Sequence, residues 1–244
     1  MIYKNIVQGI FIERPNRFIA ICQVDNEIHK CHVKNTGRCR ELLVKNATVY
    51  LEKNNNPNRK TSYSLIAVEK PTDTGIKLIN MDSQAPNVVY KEFLQKGSIF
   101  YDTIDEWVNS NKSSRPTQTI RSEVKYKNSR FDFLVQTGQE LCYIETKGVT
   151  LEHNGIASFP DAPTERGIKH VEELIEATQE GYKTAIVFII QMSGIKYFRP
   201  NYETHEAFGV ALIKARKAGV SILAYDCLVT SSSLDINKII EVRL

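Results

Sequence analysis

The run AIVFII at residues 185–190 constrains the fold most, because six consecutive apolar side chains must be buried on both faces of an extended segment. Such a strand is typical of the middle of a sheet that is covered by helices. Two amphipathic helical patterns flank the run, one from about Thr164 to Gln179 with a stop at Gly181, and one that ends at Gly219. The pattern predicts a mixed sheet with helices packed on it. The apolar faces of the two helices are predicted to be Ile168, Val171, Leu174, Ile175 and Thr178, and Phe208, Ala211, Leu212 and Ala215.

Further strands are predicted on both sides of this region. Residues 119–126, 130–136 and 141–147 are β-rich and are joined by turn signals at Lys127-Asn128 and Thr137-Gly138. A last buried strand is predicted at 221–227. Upstream, residues 86–97 have helical spacing and end at Gly97, and the polar run 109–116 predicts an exposed loop.

The first eighty or so residues follow a different pattern, of short strands separated by turn residues. Residues 18–24, 28–33, 48–53 and 63–70 are β-rich. Five or so strands of this size predict a small β-barrel, either an OB-fold or an SH3-like barrel. Because the pattern changes after Met81, we expect a barrel domain at 1–81 and a second domain, with a mixed sheet flanked by helices, at 82–244.

Composition excludes several classes of protein. No apolar run approaches the roughly 18 residues that cross a bilayer, and the N-terminus lacks the apolar core of a signal peptide, so a cytoplasmic protein that does not bind membranes is expected. The five cysteines are scattered and form no CxxC pair, which argues against a disulfide framework or a zinc ribbon.

Positive charge is concentrated in one window. The formal net charge of the chain is +4, whereas residues 34–60 contain seven basic and two acidic residues, and seven minus two gives +5. Such a patch is equally compatible with a polyanion partner and with a solvated surface. Arg166 and Lys169, near the start of the first predicted helix, would favour a phosphate or simply face solvent. The candidate nucleic-acid-binding residues are Lys34, Arg38, Arg40, Arg59, Lys60, Arg166 and Lys169.

Charged residues interrupt the three strands that precede the helix. Glu145 and Lys147 are two positions apart and so share one face of a strand. Asp132 lies between two phenylalanines on the preceding strand, where an isolated charge is costly. Mg²⁺ or Mn²⁺ held by Asp132 and Glu145 would offset that cost, Lys147 would steer a water or offset charge on a phosphate, and Glu123 would bind a second ion or orient the water. The alternative is an exposed Glu145–Lys147 ion pair, with Asp132 paired to Arg130.

These residues carry a resemblance to known families. The pairing of SRFDFLV with YIETKGV resembles the PD-(D/E)XK nuclease core, with Asp132, Glu145 and Lys147 at the matching positions. The proline that often opens the nuclease motif is replaced by Phe131. Over almost the whole chain, seven ordered blocks resemble the sugar fermentation stimulation protein A (SfsA) family: IERPNRFIAICQV, VKNTGRCREL, NPNRKTSYSL, SEVKYKNSRFDFL, YIETKGVTL, FPDAPTERGIKHVEEL and LAYDCLV.

The resemblance implies an α+β protein with an N-terminal OB-fold, a C-terminal PD-(D/E)XK nuclease-like domain, and binding of single- or double-stranded DNA with little sequence preference. Two functions remain open at this point. One is a Mg²⁺- or Mn²⁺-dependent nuclease that uses Asp132, Glu145, Lys147 and Glu123. The other is a non-catalytic DNA-binding transcriptional regulator of sugar metabolism with a quiet nuclease-like site. Whether the chain forms a homodimer is also left open.

Overall fold

A computed structural model describes residues 1–35, 37–56, 58–73, 75–96 and 118–244. The predicted helix stop at Gly97 and the predicted loop at 109–116 lie outside these residues. Within the described ranges the chain forms fifteen strands and three helices.

The N-terminal part is a small closed barrel. Antiparallel pairing gives the strand order β3-β2-β1-β4-β5-β6, and a parallel pairing of β3 with β5 closes the first five strands into a ring. The turn between β2 and β3 places Asp25 and Asn26 at positive φ, as a tight two-residue hairpin requires. The expected OB barrel is confirmed. Its strands are β1 (Ile6–Asn16), β2 (Ile19–Val24), β3 (Glu27–Val33), β4 (Thr48–Lys53), β5 (Tyr63–Thr72) and β6 (Gly75–Asn80).

The second part is built on a six-stranded mixed sheet. Its order is β15-β14-β12-β9-β8-β7, in which β12 runs parallel to both β9 and β14 and the other pairs are antiparallel. The central strand β12 contains the AIVFII run, and every residue from Thr184 to Ile190 is buried. The strands are β7 (Gln118–Tyr126), β8 (Ser129–Thr137), β9 (Glu140–Val149), β12 (Lys183–Ile190), β14 (Ser221–Val229) and β15 (Leu234–Ile239).

Helices cover both faces of this sheet, as predicted. On one face α1 (Ala85–Gln95) packs Tyr90 and Phe93 against the sheet. On the other face lie α2 (Glu165–Gln179) and α3 (Tyr202–Ala218). Thr164 caps α2 by accepting a hydrogen bond from the Gly167 N–H at 3.0 Å. The α2 stripe differs from the prediction in one respect: His170 and Glu173 are buried, whereas Ile168 and Ile175 are only half-buried.

A small sheet with no counterpart in the sequence prediction lies beside the main one. It consists of β10 (Leu151–His153), β11 (Ile156–Phe159) and β13 (Tyr197–Pro200). These strands are three or four residues long, which is too short for a period-2 pattern to stand out.

Buried polar contacts join the barrel to the mixed-sheet part. The side-chain amide of Gln191 has two hydrogen-bond acceptors at this junction. Its Nε2 donates to Asn80 Oδ1 at 2.8 Å and to the Asp82 carbonyl at 3.0 Å. Glu152 forms ion pairs with Lys70 at 2.8 Å and Lys77 at 3.3 Å. Gln191 is 1% exposed, so its side chain is buried at this junction. The predicted boundary between residues 81 and 82 stays a prediction.

None of the helices described is long and apolar enough to span a membrane. The five cysteines are all buried, and none of them forms a disulfide bond.

Candidate functional site

Asp132 lies where the pairing of β8 with β9 ends. Regular pairing of these strands stops at Phe133 and Ile144, and the Thr146 N–H donates to Asp132 Oδ2 at 2.7 Å. The Thr146 hydroxyl donates to the same oxygen at 2.7 Å, and Asn87 Nδ2 of α1 donates to Oδ1 at 2.7 Å. The Asp132 carboxylate thus accepts the hydrogen bond of the Thr146 N–H, a group that the backbone of a neighbouring strand would otherwise pair. The alternative pairing of Asp132 with Arg130 is absent, because Arg130 contacts Glu123 instead, at 3.8 Å.

The environment of Asp132 disfavours its charge. Burial raises the pKa of the Asp132 carboxyl above its usual range, and the nearby charge of Glu145 raises it further, against the hydrogen bonds from Thr146 and Asn87. The Glu145 carboxylate is therefore near enough to Asp132 for its charge to oppose the ionisation of Asp132.

Glu145 is the buried acid of the pair, with 3% of its surface exposed. Its Oε1 accepts from Lys147 Nζ at 2.6 Å and also contacts Nδ1 of His170. Burial raises the pKa of the Glu145 carboxyl, but His170 and Lys147 outweigh it, so that the pKa lies below its usual range. The predicted Glu145–Lys147 pair exists, yet it is buried rather than solvent-facing: the side chains are 4% and 16% exposed.

His170 extends this contact into α2. Arg166 Nε donates to His170 Nε2 at 3.4 Å. Because an arginine can only donate, Nε2 acts as the acceptor and the imidazole proton lies on Nδ1, facing Glu145. The structure thus places this histidine in direct contact with the candidate site.

The second oxygen of Glu145 has a different environment. Glu145 Oε2 is buried and has no hydrogen-bond partner among the described residues. A buried carboxylate oxygen without a donor is costly and suits a cation or an ordered water. With Asp132 close by, the donor set consists of carboxylate oxygens, which are the ligands that Mg²⁺, Mn²⁺ and Ca²⁺ prefer.

The described residues do not enclose a metal ion by themselves. No group of three or more histidine, cysteine, aspartate or glutamate side chains in the described ranges is arranged to hold one. An ion at Asp132 and Glu145 would therefore take its remaining ligands from water or a phosphate, as Mg²⁺ commonly does when one or two carboxylates are offered.

Glu123 lies on the α1 side of Asp132. It adopts a φ of 56° in β7, and its exposed side chain forms the ion pair with Arg130. Together with Asn87 and Asp132 it lines a cleft of about 170 Å³, whose lining includes neither Glu145 nor Lys147. Glu123 and Asp132 therefore share this cleft, whereas Glu145 does not line it.

The loop that carries Arg38 and Arg40 forms a second, basic cleft of about 290 Å³ in the barrel. The cleft also contains Arg14 and Arg17, which the sequence analysis did not single out. Arg14 supports the loop from below: its guanidinium donates to the carbonyls of Gly37 and Arg38 at 2.8 Å, and of Arg17 and Asn35 at 2.7 Å. The Arg17 guanidinium lies 4.7 Å from the centre of the exposed Phe18 ring.

The other predicted nucleic-acid-binding residues are dispersed. Lys34 is held by Asp82 at 2.9 Å and Glu52 at 3.6 Å, and does not line the basic cleft of the barrel. Arg59 and Lys60 are exposed. Burial and then the Arg59 charge lower the pKa of His32, so Arg59 lies near this residue of β3. Arg166 and Lys169 line a separate cleft beside His170.

The barrel loop also approaches the segment that leads into α2. A Cβ atom on Gly37 would lie 2.5 Å from Asp161 Oδ2 and 2.9 Å from Asn35 Oδ1, so a larger residue there would require these side chains to shift. The basic loop of the barrel is therefore packed against the mixed-sheet part, close to the start of α2.

Fold and site together define a two-part α+β protein, an OB barrel followed by a mixed sheet that carries paired carboxylates and helices on both faces. Comparison with known families agrees: the model described as "SfsA N-terminal OB domain" matches residues 12–78, and that described as "Sugar fermentation stimulation protein RE domain" matches residues 84–233. The chain belongs to the sugar fermentation stimulation protein family, SfsA.

Individual relatives support this membership. The sugar fermentation stimulation protein homologues of Ruminiclostridium cellulolyticum and Clostridium beijerinckii are each 50% identical over 244 residues, covering 100% of both chains. The solved structure of Pyrococcus furiosus SfsA in complex with Ca²⁺ is similar with a TM-score of 0.83 at 24% identity, covering 100% of this chain and 98% of that one. At that identity the likeness concerns the fold.

Proposed function

We propose that this chain binds DNA with little sequence preference and hydrolyses phosphodiester bonds with the help of Mg²⁺ or Mn²⁺. The observation that carries the proposal is the pair of carboxylates formed by the half-buried Asp132 and the buried Glu145. In this pair Glu145 Oε2 lacks a donor among the described residues, while Lys147 binds the other oxygen. The solved relative from Pyrococcus furiosus is a complex with Ca²⁺, a cation that takes the same kind of oxygen ligand. When bound, Mg²⁺ polarises a phosphoryl oxygen and lowers the pKa of a coordinated water.

The protein residues have separate roles in this proposal. Asp132 and Glu145 offer the oxygen ligands. Lys147 donates to Glu145, so it is an ammonium with three donor hydrogens, of which this contact uses one. Its remaining donors can orient the attacking water and offset the negative charge that builds on the phosphate. His170 keeps Glu145 Oε1 occupied and so leaves Oε2 as the oxygen for the ion. Glu123 orients a water on the α1 side of Asp132.

The arginines of the barrel cleft support the DNA-binding part of the proposal. Arg14, Arg17, Arg38 and Arg40 converge on one cleft, and none of its lining residues is acidic. Arginines in such a cleft suit phosphate oxygens, which are the same at every base pair, so binding would depend on salt and little on sequence.

A second candidate function is DNA binding without turnover, in a regulator of sugar metabolism. It is favoured by two observations. Lys147 and His170 already satisfy Glu145 Oε1, and the described residues supply no third metal-ligating side chain.

One experiment separates the two functions. Labelled single- and double-stranded DNA is incubated with the pure protein in Mg²⁺, in Mn²⁺ and in EDTA, with the variants Asp132→Ala and Lys147→Ala. Glu140→Ala, an exposed carboxylate on the same strand that pairs with Lys183, is the control. We expect cleavage only with a metal ion, its loss in both site variants and its retention in the control. Cleavage that survives either site substitution would refute the proposed site, and binding without cleavage under every condition would favour the second function.

A further inference from the structure

A positively charged cleft of about 420 Å³ lies between the β7–β8 hairpin and the first turns of α2. Four of its lining residues are cationic and none is acidic, and the turn between the strands adds an amide and a hydroxyl group. The lining consists of Lys125, Asn128, Ser129, Arg130, Arg166, Lys169 and His170.

The cations of this cleft are only weakly compensated. Arg130 lies 3.8 Å from Glu123, and Lys169 lies 3.8 Å from Glu173, so neither contact is a close hydrogen bond. Lys125 has no ion-pair partner among the described residues. Several like charges that converge without close counterions create a local positive potential, which costs stability unless an anion is bound.

The cleft adjoins the candidate site through a single imidazole ring. His170, which is 5% exposed, closes the cleft with its Nε2 edge, where Arg166 donates, and touches Glu145 with its Nδ1 edge. The two sites are therefore separated by one side chain.

We propose that this cleft binds a phosphate of the DNA strand that is adjacent to the phosphate acted on at Asp132 and Glu145. Lys125, Arg130, Arg166 and Lys169 supply charge, while Asn128 and Ser129 supply neutral donors that can fix the orientation of the phosphate oxygens. The inference rests on the proposed function, because that function supplies the strand. It adds that the strand is held on the α2 side of the carboxylates, across the β7–β8 hairpin, and not only by the arginines of the barrel.

The test removes two charges of the cleft without touching His170 or Glu145. The variant is Lys125→Gln combined with Lys169→Gln. The control is Lys214→Gln combined with Lys217→Gln, which removes the same charge from exposed positions near the C-terminal end of α3. Binding of a short fluorescein-labelled single-stranded oligodeoxynucleotide is measured by anisotropy in EDTA over a range of salt concentrations, so that the reading does not depend on cleavage.

We expect the slope of log affinity against log salt to fall by about 0.7 in the cleft variant, since the cleft binds one phosphate and each phosphate contact on a single strand contributes about 0.7. The control pair should leave the slope unchanged. Oligonucleotides in which one phosphate is replaced by an uncharged methylphosphonate then locate the contact. At one position the methylphosphonate should weaken binding to the unaltered protein and should make no difference to binding by the cleft variant. In the cleaved product, that position should lie next to the cut.

The outcomes distinguish this inference from the proposed function. Equal slopes in the cleft variant and the unaltered protein, with metal-dependent cleavage retained, would overturn the cleft alone. A fall confined to the cleft variant, without cleavage in any metal, would uphold the cleft as a phosphate site and overturn phosphodiester hydrolysis. An equal fall in both variant pairs, or no binding by the unaltered protein, would overturn the cleft assignment.

Discussion

The imidazole Nδ1 of His170 contacts Oε1 of Glu145, although the two residues are 25 positions apart on different elements. Lys147 donates to that same oxygen at 2.6 Å. Because both donors converge on Oε1, the free Oε2 is directed away from them. The geometry of the candidate site therefore depends on α2 as much as on β9.

Replacing His170 by alanine should lower both stability and metal-dependent cleavage. The substitution leaves a buried carboxylate with one donor fewer, which costs about 1.5–3 kcal/mol for a hydrogen bond to a charged group. The native contacts hold the pKa of Glu145 below its usual range, so their contribution is present above the unfolded pKa of about 4.3 and is lost as pH falls through the lower native value. The stability difference between the two proteins should therefore shrink in acid.

Urea unfolding at neutral and acidic pH measures this difference, with cleavage in Mn²⁺ as the second reading. His153→Ala, at an exposed histidine of β10, is the matched control and should change neither. If His170→Ala altered neither the free energy of unfolding nor cleavage, the contact with Glu145 would contribute to neither stability nor activity.

Replacing Asp132 by asparagine should raise stability while it abolishes cleavage. Burial and the Glu145 charge raise the pKa of Asp132, so its ionisation opposes folding. The hydrogen bonds can survive, because Asn87 can turn its amide to accept from the new amide group while the remaining oxygen still accepts from Thr146. Active sites commonly hold such costly groups for function.

Thermal unfolding at two pH values tests the sign. A group with a raised native pKa favours the folded state at low pH and loses that contribution as pH rises through the native value. The gain in melting temperature of Asp132→Asn over the unaltered protein should therefore be larger at neutral pH than near pH 4. Glu140→Gln, at an exposed acid, should show no such gain; a lower melting temperature for Asp132→Asn at neutral pH would contradict the argument.

The order of elements could be predicted because periodicity is a local signal. The six apolar residues of β12 and the turn at Asp25-Asn26 each carry their structural cause within a few residues. The shared face of Glu145 and Lys147 also followed from strand geometry alone, and the two side chains do meet.

The rest of the site depends on contacts between distant parts of the chain. Asn87 reaches Asp132 across 45 positions, and Arg14 reaches Asn35 across 21. Lys34, a candidate for DNA contact by charge, is paired with Asp82 across 48 positions. No local pattern marks such pairs, and an asparagine or arginine by itself is ordinary on a surface. The DNA-binding and catalytic roles of the named residues stay predictions.

Replacing Arg14 by lysine should weaken DNA binding although the charge is unchanged. The guanidinium donates to four backbone carbonyls and so joins the β1–β2 turn to the loop that carries Arg38 and Arg40. A lysine ammonium is a compact charge with three donors and does not reproduce that planar arrangement. We expect a loss of about 1–2 kcal/mol in stability from the missing hydrogen bonds.

Anisotropy with labelled DNA and urea unfolding measure the two effects. Arg40→Lys, a charge-preserving change at an exposed position in the same cleft, is the control and should alter stability little. If Arg14→Lys and Arg40→Lys gave the same small changes, Arg14 would act only as a charge and not as the support of the loop.

Replacing Gly148 by alanine should loosen the junction between the barrel and the mixed sheet. Gly148 follows Lys147 on β9, and a Cβ there would lie 2.8 Å from Pro86 Cγ and 2.8 Å from Gln191 Oε1. Gln191 cannot simply move, because its amide is buried and bound to Asn80 and Asp82. Forcing one extra carbon into such packing costs about 1–3 kcal/mol.

Thermal unfolding should therefore show a clear loss of stability for Gly148→Ala. The control Gly138→Asn should have a weaker effect, because no atom lies within 4 Å of a Cβ at that position and asparagine tolerates the positive φ of 62°. Equal losses in the two variants would mean that glycine acts at position 148 through the flexibility of the backbone and not through the space that Pro86 and Gln191 leave.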